Sequence, residues 1–310
     1  MREENIVIGE GTQYPLNGLL TLPDNPGRDM PALVLVHGSG PHDMDQTMYE
    51  NKPFKDIAEA LAAHGIAVLR YDKRTYAYGK ELVEATKTGA PLTVYKETIE
   101  DAVFAAQLLR RDPRIGKVFL FGHSMGATLG PRIDASGGNF DGLILAAGTT
   151  RAIREIMFEQ MDEAMQSYKG LRGIIARWQI KKNKPQFLAI DTWTEEELKT
   201  KDFILGKGVA YHIKEMEAHL PGRYTKDMTK PLFVIHGDKD FQVSVEKDFA
   251  GFQRLLADYP DVTFKLYEGL NHIFTTSHGT RSIKDYQITE KVSSQVTDDI
   301  AAWIHEKANS

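Results

Sequence analysis

The chain has 310 residues, 42% of them hydrophobic, with a formal net charge of −5 and no cysteine. That composition supplies the core of an α/β domain carrying an insertion and excludes disulfides, thiolate catalysis and cysteine metal sites, and it has no basic bias toward nucleic acid or an anionic membrane. No apolar run approaches ~18 residues, and Met1-Arg2-Glu3-Glu4-Asn5 lacks the apolar core of a signal peptide, so the expected setting is cytoplasmic.

Eight segments carry strand patterns in chain order: Asn5–Gly9, Leu16–Leu22, Ala32–Val36, Ile66–Tyr71, Lys117–Phe121, Gly142–Ala147, Pro231–His236 and Val262–Tyr267. The first two lie close together with no helix between them and predict an edge hairpin. From the third onward, strands alternate with helix-like segments, which predicts crossover connections and a mostly parallel sheet. Helices are expected over Pro53–His64, Thr98–Arg111, Met125–Ala135, Val245–Tyr259 and Ile288–Lys307. The second opens on Thr98-Ile99-Glu100-Asp101, a capping-box-like start, and stops at Asp112-Pro113.

Residues 149–228 break the alternation. Ile153, Met157, Met161 and Met165 recur there at every fourth position, and Trp178, Phe187 and Trp193 add apolar surface. So long a loop without structure would be unusual, so a helical lid inserted after the sixth strand is predicted. The expected organisation is a core of residues 1–148 and 229–310 with a lid of residues 149–228.

The chemistry gathers at strand ends. Gly122-His123-Ser124-Met125-Gly126 directly follows Val118-Phe119-Leu120-Phe121 and opens a helix. A nucleophilic serine must sit on a turn tight enough to lift its Oγ out of the sheet, and side chains two residues to either side would collide across that turn. Pro231-Leu232-Phe233-Val234-Ile235 runs into His236-Gly237-Asp238-Lys239-Asp240, and the last strand leads to Gly269-Leu270-Asn271-His272. Serine, then acid, then histidine makes Ser124 the nucleophile, His272 the general base and Asp240 its orienting acid. Asp238 is the local rival for the acid and reads as a loop brace, and His278 is the rival for the base. His37 and His236 read as structural, and His123 points away from the substrate. Upstream, Leu33-Val34-Leu35-Val36 meets His37-Gly38-Ser39-Gly40-Pro41, a loop able to aim a backbone N–H at an oxyanion, with the Met125 N–H as second donor.

With these residues in place, the chain resembles the α/β-hydrolase superfamily over nearly its whole length. It is most similar there to bacterial acyl esterases and serine-aminopeptidase-like hydrolases. The carrying segments are Leu35-Val36-His37-Gly38-Ser39-Gly40-Pro41, Asn51-Lys52-Pro53-Phe54-Lys55-Asp56, Tyr71-Asp72-Lys73-Arg74-Thr75, the serine pentapeptide and Leu270-Asn271-His272. The resemblance implies an α/β-hydrolase fold, an eight-stranded mostly parallel sheet flanked by helices, with an inserted helical lid. It favours Asp240, three residues before Val243, as the acid, and it maps the first oxyanion donor to Ser39, with Gly38 and Gly40 still open. It implies hydrolysis of a small-molecule carboxylic ester through an acyl-enzyme, with no cofactor and no metal. An exopeptidase or amidase using the same triad is the alternative, and a non-catalytic binding protein of the same fold is the reading from another class.

Other features have plainer readings. Asp72 and Arg74 brace loops, and His42, Asp43 and Asp45 match no familiar metal-ligand spacing. Glu195-Glu196-Glu197 is favourable charge at a helix start before it is a pocket for a free amino terminus. The methionine stripe is helix packing first, with Met157 and Met161 as candidate substrate-binding residues. A homodimer is left open.

Overall fold

The computed structural model describes residues 1–167, 178, 181–182, 184–204 and 206–310. Within the expected lid, residues 168–177 and the side chain of Met165 lie outside the described residues. The chain divides into two compact units, one of Met1–Tyr78, Glu97–Thr150 and Pro221–Ser310, the other of Gly79–Lys96 and Arg151–Leu220.

The first unit is built on an eight-stranded sheet in the order β1-β2-β4-β3-β5-β6-β7-β8. These are Arg2–Ile8, Leu16–Leu22, Met30–Val36, Ala67–Tyr71, Ile115–His123, Gly142–Ala146, Leu232–Gly237 and Val262–Tyr267 for β1 to β8. The hairpin β1–β2 pairs Arg2 with Leu22 through Ile8 with Leu16, and β2 runs antiparallel to β4. Every other pairing is parallel. The loops that leave the carboxyl ends of β3, β5, β7 and β8 therefore open on the same edge of the sheet, where open α/β sheets bind ligands.

Alternation along the strands separates the two faces. Leu33, Leu35, Phe119, Phe121, Ile144, Phe233 and Ile235 share a core with Phe54, Ile57 and Leu61 of the helix Pro53–Ala63 and with Val296, Ile300 and Ile304 of the helix Ser294–Asn309. Trp303 stacks on Phe233 with centroids 5.7 Å apart and meets Phe119 edge-on at 5.8 Å. Burial of such a ring is worth on the order of 3–5 kcal/mol against alanine. Leu120, Leu143 and Leu145 point the other way and lie against Gly130 of the helix Met125–Ile133.

Three local expectations change. Thr98 is not a helix cap: a π-helical turn, Tyr95–Ile99, runs straight into Glu100–Arg111, and the Thr98 hydroxyl is buried without a hydrogen-bond partner. The last helix begins at Ser294 instead of Ile288, because side chains take over the backbone before it. Asn51 Nδ2 donates to the carbonyls of Tyr286 and Ile288, Asn51 Oδ1 accepts from the Glu290 amide, and Asp56 Oδ2 accepts from the Val292 amide. The helix Gly79–Lys87 was not anticipated, since Leu82 is its one buried residue and leaves no apolar stripe to read.

The second unit is helical where described, with Gly79–Lys87, Ile153–Ser167, Glu195–Thr200 and Val209–Ala218. Its core is Phe187, Ile190, Leu198, Phe203, Ala210 and Ile213, against which Ile153, Met157, Phe158, Met161 and Trp193 pack. Thr194 closes a capping box with Glu197, a start written in Thr194-Glu195-Glu196-Glu197. Among the described residues, no helix is long and apolar enough to cross a membrane.

Candidate active site

Ser124 follows β5 with φ 53° and ψ −111°, a conformation that a non-glycine residue adopts only under local constraint. The constraint comes from its glycines. A Cβ on Gly122 would run into the Gly126 carbonyl, and one on Gly126 would run into the carbonyl of Val36 on β3. The turn is thus closed tightly against the neighbouring strand, and the Ser124 amide donates to the Ala146 carbonyl at 2.8 Å. The helix Met125–Ile133 starts at the next residue.

Asp240 and His272 come together from the loops after β7 and β8. His272 Nδ1 donates to Asp240 Oδ2 at 2.6 Å, the tautomer whose neutral ring has Nε2 free to accept a proton. Asp240 Oδ1 accepts the amides of Gln242 (2.7 Å) and Val243 (3.0 Å), and the His236 ring lies 3.3 Å from Oδ2. Burial acts to raise the Asp240 carboxyl. The attraction of His272, its hydrogen bond and the nearby His236 outweigh this and hold the group below its ordinary value. The histidine loop is fixed by Asn271, whose Oδ1 accepts the amides of Ile273 and Thr275 and whose Nδ2 donates to Thr275 Oγ1 at 2.8 Å.

The rivals have other partners. Asp238 Oδ1 accepts the Gly269 amide at 2.6 Å and so braces the loop ahead of His272. His278 sits 3.2 Å from Glu290 near the surface. His37 bonds the Asp43 carbonyl and His236 the Val243 carbonyl. Burial, first of all, holds both rings below the ordinary histidine value.

His123 is the middle of a chain of bonds that sequence reading did not find. The Gly38 amide donates to Gln46 Oε1 (3.1 Å), Gln46 Nε2 donates to His123 Nδ1 (2.9 Å), and His123 Nε2 donates to the His272 carbonyl (2.9 Å). The directions are consistent only for a neutral His123. Burial first, and then repulsion from His272, push its pKa down to about 3. The ring of His123 lies 4.7 Å from that of His272, so the residue beside Ser124 touches the base loop directly. Gln46 is buried and holds φ 51°, a local oddity with no signature in the sequence.

Among the three glycine-loop residues considered as oxyanion donors, Gly38 has its amide taken by Gln46. Among the described residues, the Ser39 and Met125 amides meet no acceptor. The Ser39 carbonyl accepts from His42 Nε2 at 2.8 Å, Asp43 accepts from the Thr47 amide and hydroxyl, and Asp45 pairs with Arg70 and Lys52. Asp72 accepts the Met44 amide, and Arg74 pairs with Asp101 and Glu100. Met157 and Met161 belong to the second unit and pack against its apolar core.

A family model described as serine aminopeptidase, S33, matches residues 30–276. The chain is 35% identical over 289 residues to Esterase EstD of Thermotoga maritima, covering 93% of this chain and 65% of that relative's length. Among solved structures, Est1E from Butyrivibrio proteoclasticus superposes with a TM-score of 0.59 at 16% identity over 99% of both chains. A thermostable carboxyl esterase from Bacillus coagulans gives 0.60 at 18% identity, also over 99% of both. The Pyrococcus furiosus esterase Pf2001 gives 0.59 at 16% identity, over 99% of this chain and 91% of that one.

Proposed function

Since the chain belongs to the serine aminopeptidase S33 family and has the α/β-hydrolase fold, we propose that it is a serine carboxylesterase acting on small carboxylic esters. Ser124 Oγ attacks the ester carbonyl carbon while His272 Nε2 takes its proton. The amides of Ser39 and Met125 hold the oxyanion of the tetrahedral intermediate. Collapse breaks the bond to the alkoxy oxygen, which leaves as alcohol with the proton from His272. Water then gives its proton to the same nitrogen, attacks the acyl-enzyme, and releases the carboxylic acid and free Ser124. Asp240 stays ionised, fixes the imidazole tautomer and balances the imidazolium that forms in each half-reaction.

The observation that carries this reading is the 2.6 Å bond between buried Asp240 and His272 in the loops beside a serine held at φ 53°. A fluorophosphonate should label Ser124 and abolish hydrolysis of nitrophenyl esters, with Ser124→Ala taking neither label nor substrate. Wild-type turnover in Ser124→Ala would overturn the assignment. Aminoacyl anilides cleaved as fast as esters would replace it by an aminopeptidase. Two of the acids considered for a free amino terminus are engaged locally, Glu195 with Lys199 and Glu197 with Thr194 and Lys201, which favours the ester.

The reading gives substrate choice to the second unit, residues 149–228 in the main, as a lid whose Met157 and Met161 meet the acyl group. Met157→Phe should move the preferred acyl chain toward shorter esters, measured with a nitrophenyl series. An unchanged preference would leave both methionines as core packing.

A further inference from the structure

Lys73 is buried and has no part in the chemistry above. Its Nζ donates to the Gly38 carbonyl at 2.9 Å and pairs with Glu97 Oε1 at 2.8 Å, with 2% of the lysine side chain and 7% of the glutamate side chain exposed. A lysine is seldom driven so far from water without a partner and a use. Its backbone also anchors the loop, since the Lys73 amide donates to the His42 carbonyl at 3.0 Å and His42 Nε2 holds the Ser39 carbonyl at 2.8 Å. Glu97 reaches it from the π-helical turn Tyr95–Ile99, an irregularity that recurs at functional sites.

The Gly38 carbonyl and the Ser39 N–H belong to one peptide unit. That unit is planar and trans, so its oxygen and its hydrogen point in opposite directions. A cation fixed on the oxygen sets the direction of the hydrogen, and by drawing electron density toward the carbonyl it makes the N–H a stronger donor. On the other side of the same glycine, the Gly38 amide is spent on Gln46, so of the two peptides that flank Gly38 the Lys73-bound one is open to an oxyanion. We infer that Lys73, held in place by Glu97, is a positioning residue that orients and polarises the Ser39 amide of the oxyanion hole.

This rests on the hydrolase reading and on Ser39 as donor, and it adds a residue one strand further along the chain. Such help acts on the tetrahedral intermediate and hardly at all on the bound ester. The test compares Lys73→Met, Lys73→Arg and the double variant Lys73→Met/Glu97→Gln. The last removes both buried charges together and so avoids stranding one of them. In the double variant, kcat for a nitrophenyl ester should fall about ten- to hundredfold, with KM within about threefold of wild type. Affinity for a boronic acid transition-state analogue should fall by the same factor as kcat, and Lys73→Arg should recover much of the loss.

A folded double variant with wild-type kcat and analogue affinity would overturn the inference while leaving Ser124-dependent hydrolysis intact. Loss confined to KM or to thermal stability would also overturn it, since a merely structural brace predicts that pattern. Activity that survives Ser124→Ala would bring down the hydrolase reading and this inference with it.

Discussion

The two compact units are held together differently. In the first, the polar groups around the candidate site are buried and hydrogen-bonded to one another: Asp240 satisfies two amides and an imidazole, Asn271 ties its own loop, and Gln46 and His123 join loops 77 residues apart. In the second, an aromatic cluster does the packing, with Phe187 edge-on to Phe158 and Phe203, while the charges lie outside it. Arg154 there reaches Glu217 and Asp191, and Arg151 reaches Glu159. Pairs with an exposed partner, Arg154–Asp191 and Arg151–Glu159, contribute little each, whereas Arg154–Glu217 is largely buried. The lesson is that the sheet unit fixes individual atoms, as chemistry requires, whereas the helical unit fixes only a volume, which tolerates exchange of one apolar side chain for another.

The contrast is sharpened most by the nucleophile and base. Ser124→Ala and His272→Ala should each reduce ester turnover by on the order of 10⁴–10⁶, and the double variant should be little worse than either, because the groups act as one unit. Additive losses in steady-state assays would mean that they act separately. Next in size is the acid. Asp240→Asn should cost on the order of 10⁴ in turnover through the wrong imidazole tautomer, and Asp238→Asn less than about tenfold. The opposite ranking would hand the role to Asp238.

Acid stability separates the units by another route. His123 is buried neutral, with its pKa down to about 3 against an ordinary 6.5. Between those values the unfolded chain binds a proton that the folded chain refuses, so stability is lost as pH falls, by up to about 1.4 kcal/mol per pH unit from this group. His37 and His236, also lowered, act in the same direction. Urea midpoints at pH 7 and pH 4.5 should show the loss, and His123→Gln should shrink it. An equal slope in that variant would remove His123 as its source. The smallest effect on chemistry is expected from the helical core. Phe187→Ala should cost about 3–5 kcal/mol of stability, yet labelling of Ser124 by a small phosphonate should stay within about threefold. A collapse of labelling in the folded variant would erase the distinction between the units.

What could be read from the residues followed the range of the forces involved. The serine turn is legible because its steric demand is met within five residues, and the helix start at Glu195-Glu196-Glu197 because its charges lie within one turn. The same reasoning misplaced a cap at Thr98, where the helix had already begun three residues earlier as a π turn. The sheet was legible from apolar runs and alternation, down to the edge hairpin. Gln46 and Lys73 were not, because each owes its position to partners far along the chain, and nothing in Asp45-Gln46-Thr47 or Asp72-Lys73-Arg74 distinguishes a buried side chain from a solvated one. The start of the last helix failed for the same reason, since Asn51 holds the backbone ahead of it at Tyr286, 235 residues away.

The bonds from Gly38 through Gln46 and His123 to the His272 carbonyl make three separate loops share one proton arrangement. Positions 46 and 123 are therefore not independently interchangeable. A change at 46 that removes its amide deprives His123 of a donor and Gly38 of an acceptor at once, so compensation has to answer both losses. Laboratory evolution or loop grafting on this scaffold would meet a valley at each single step and would have to carry the two positions across together.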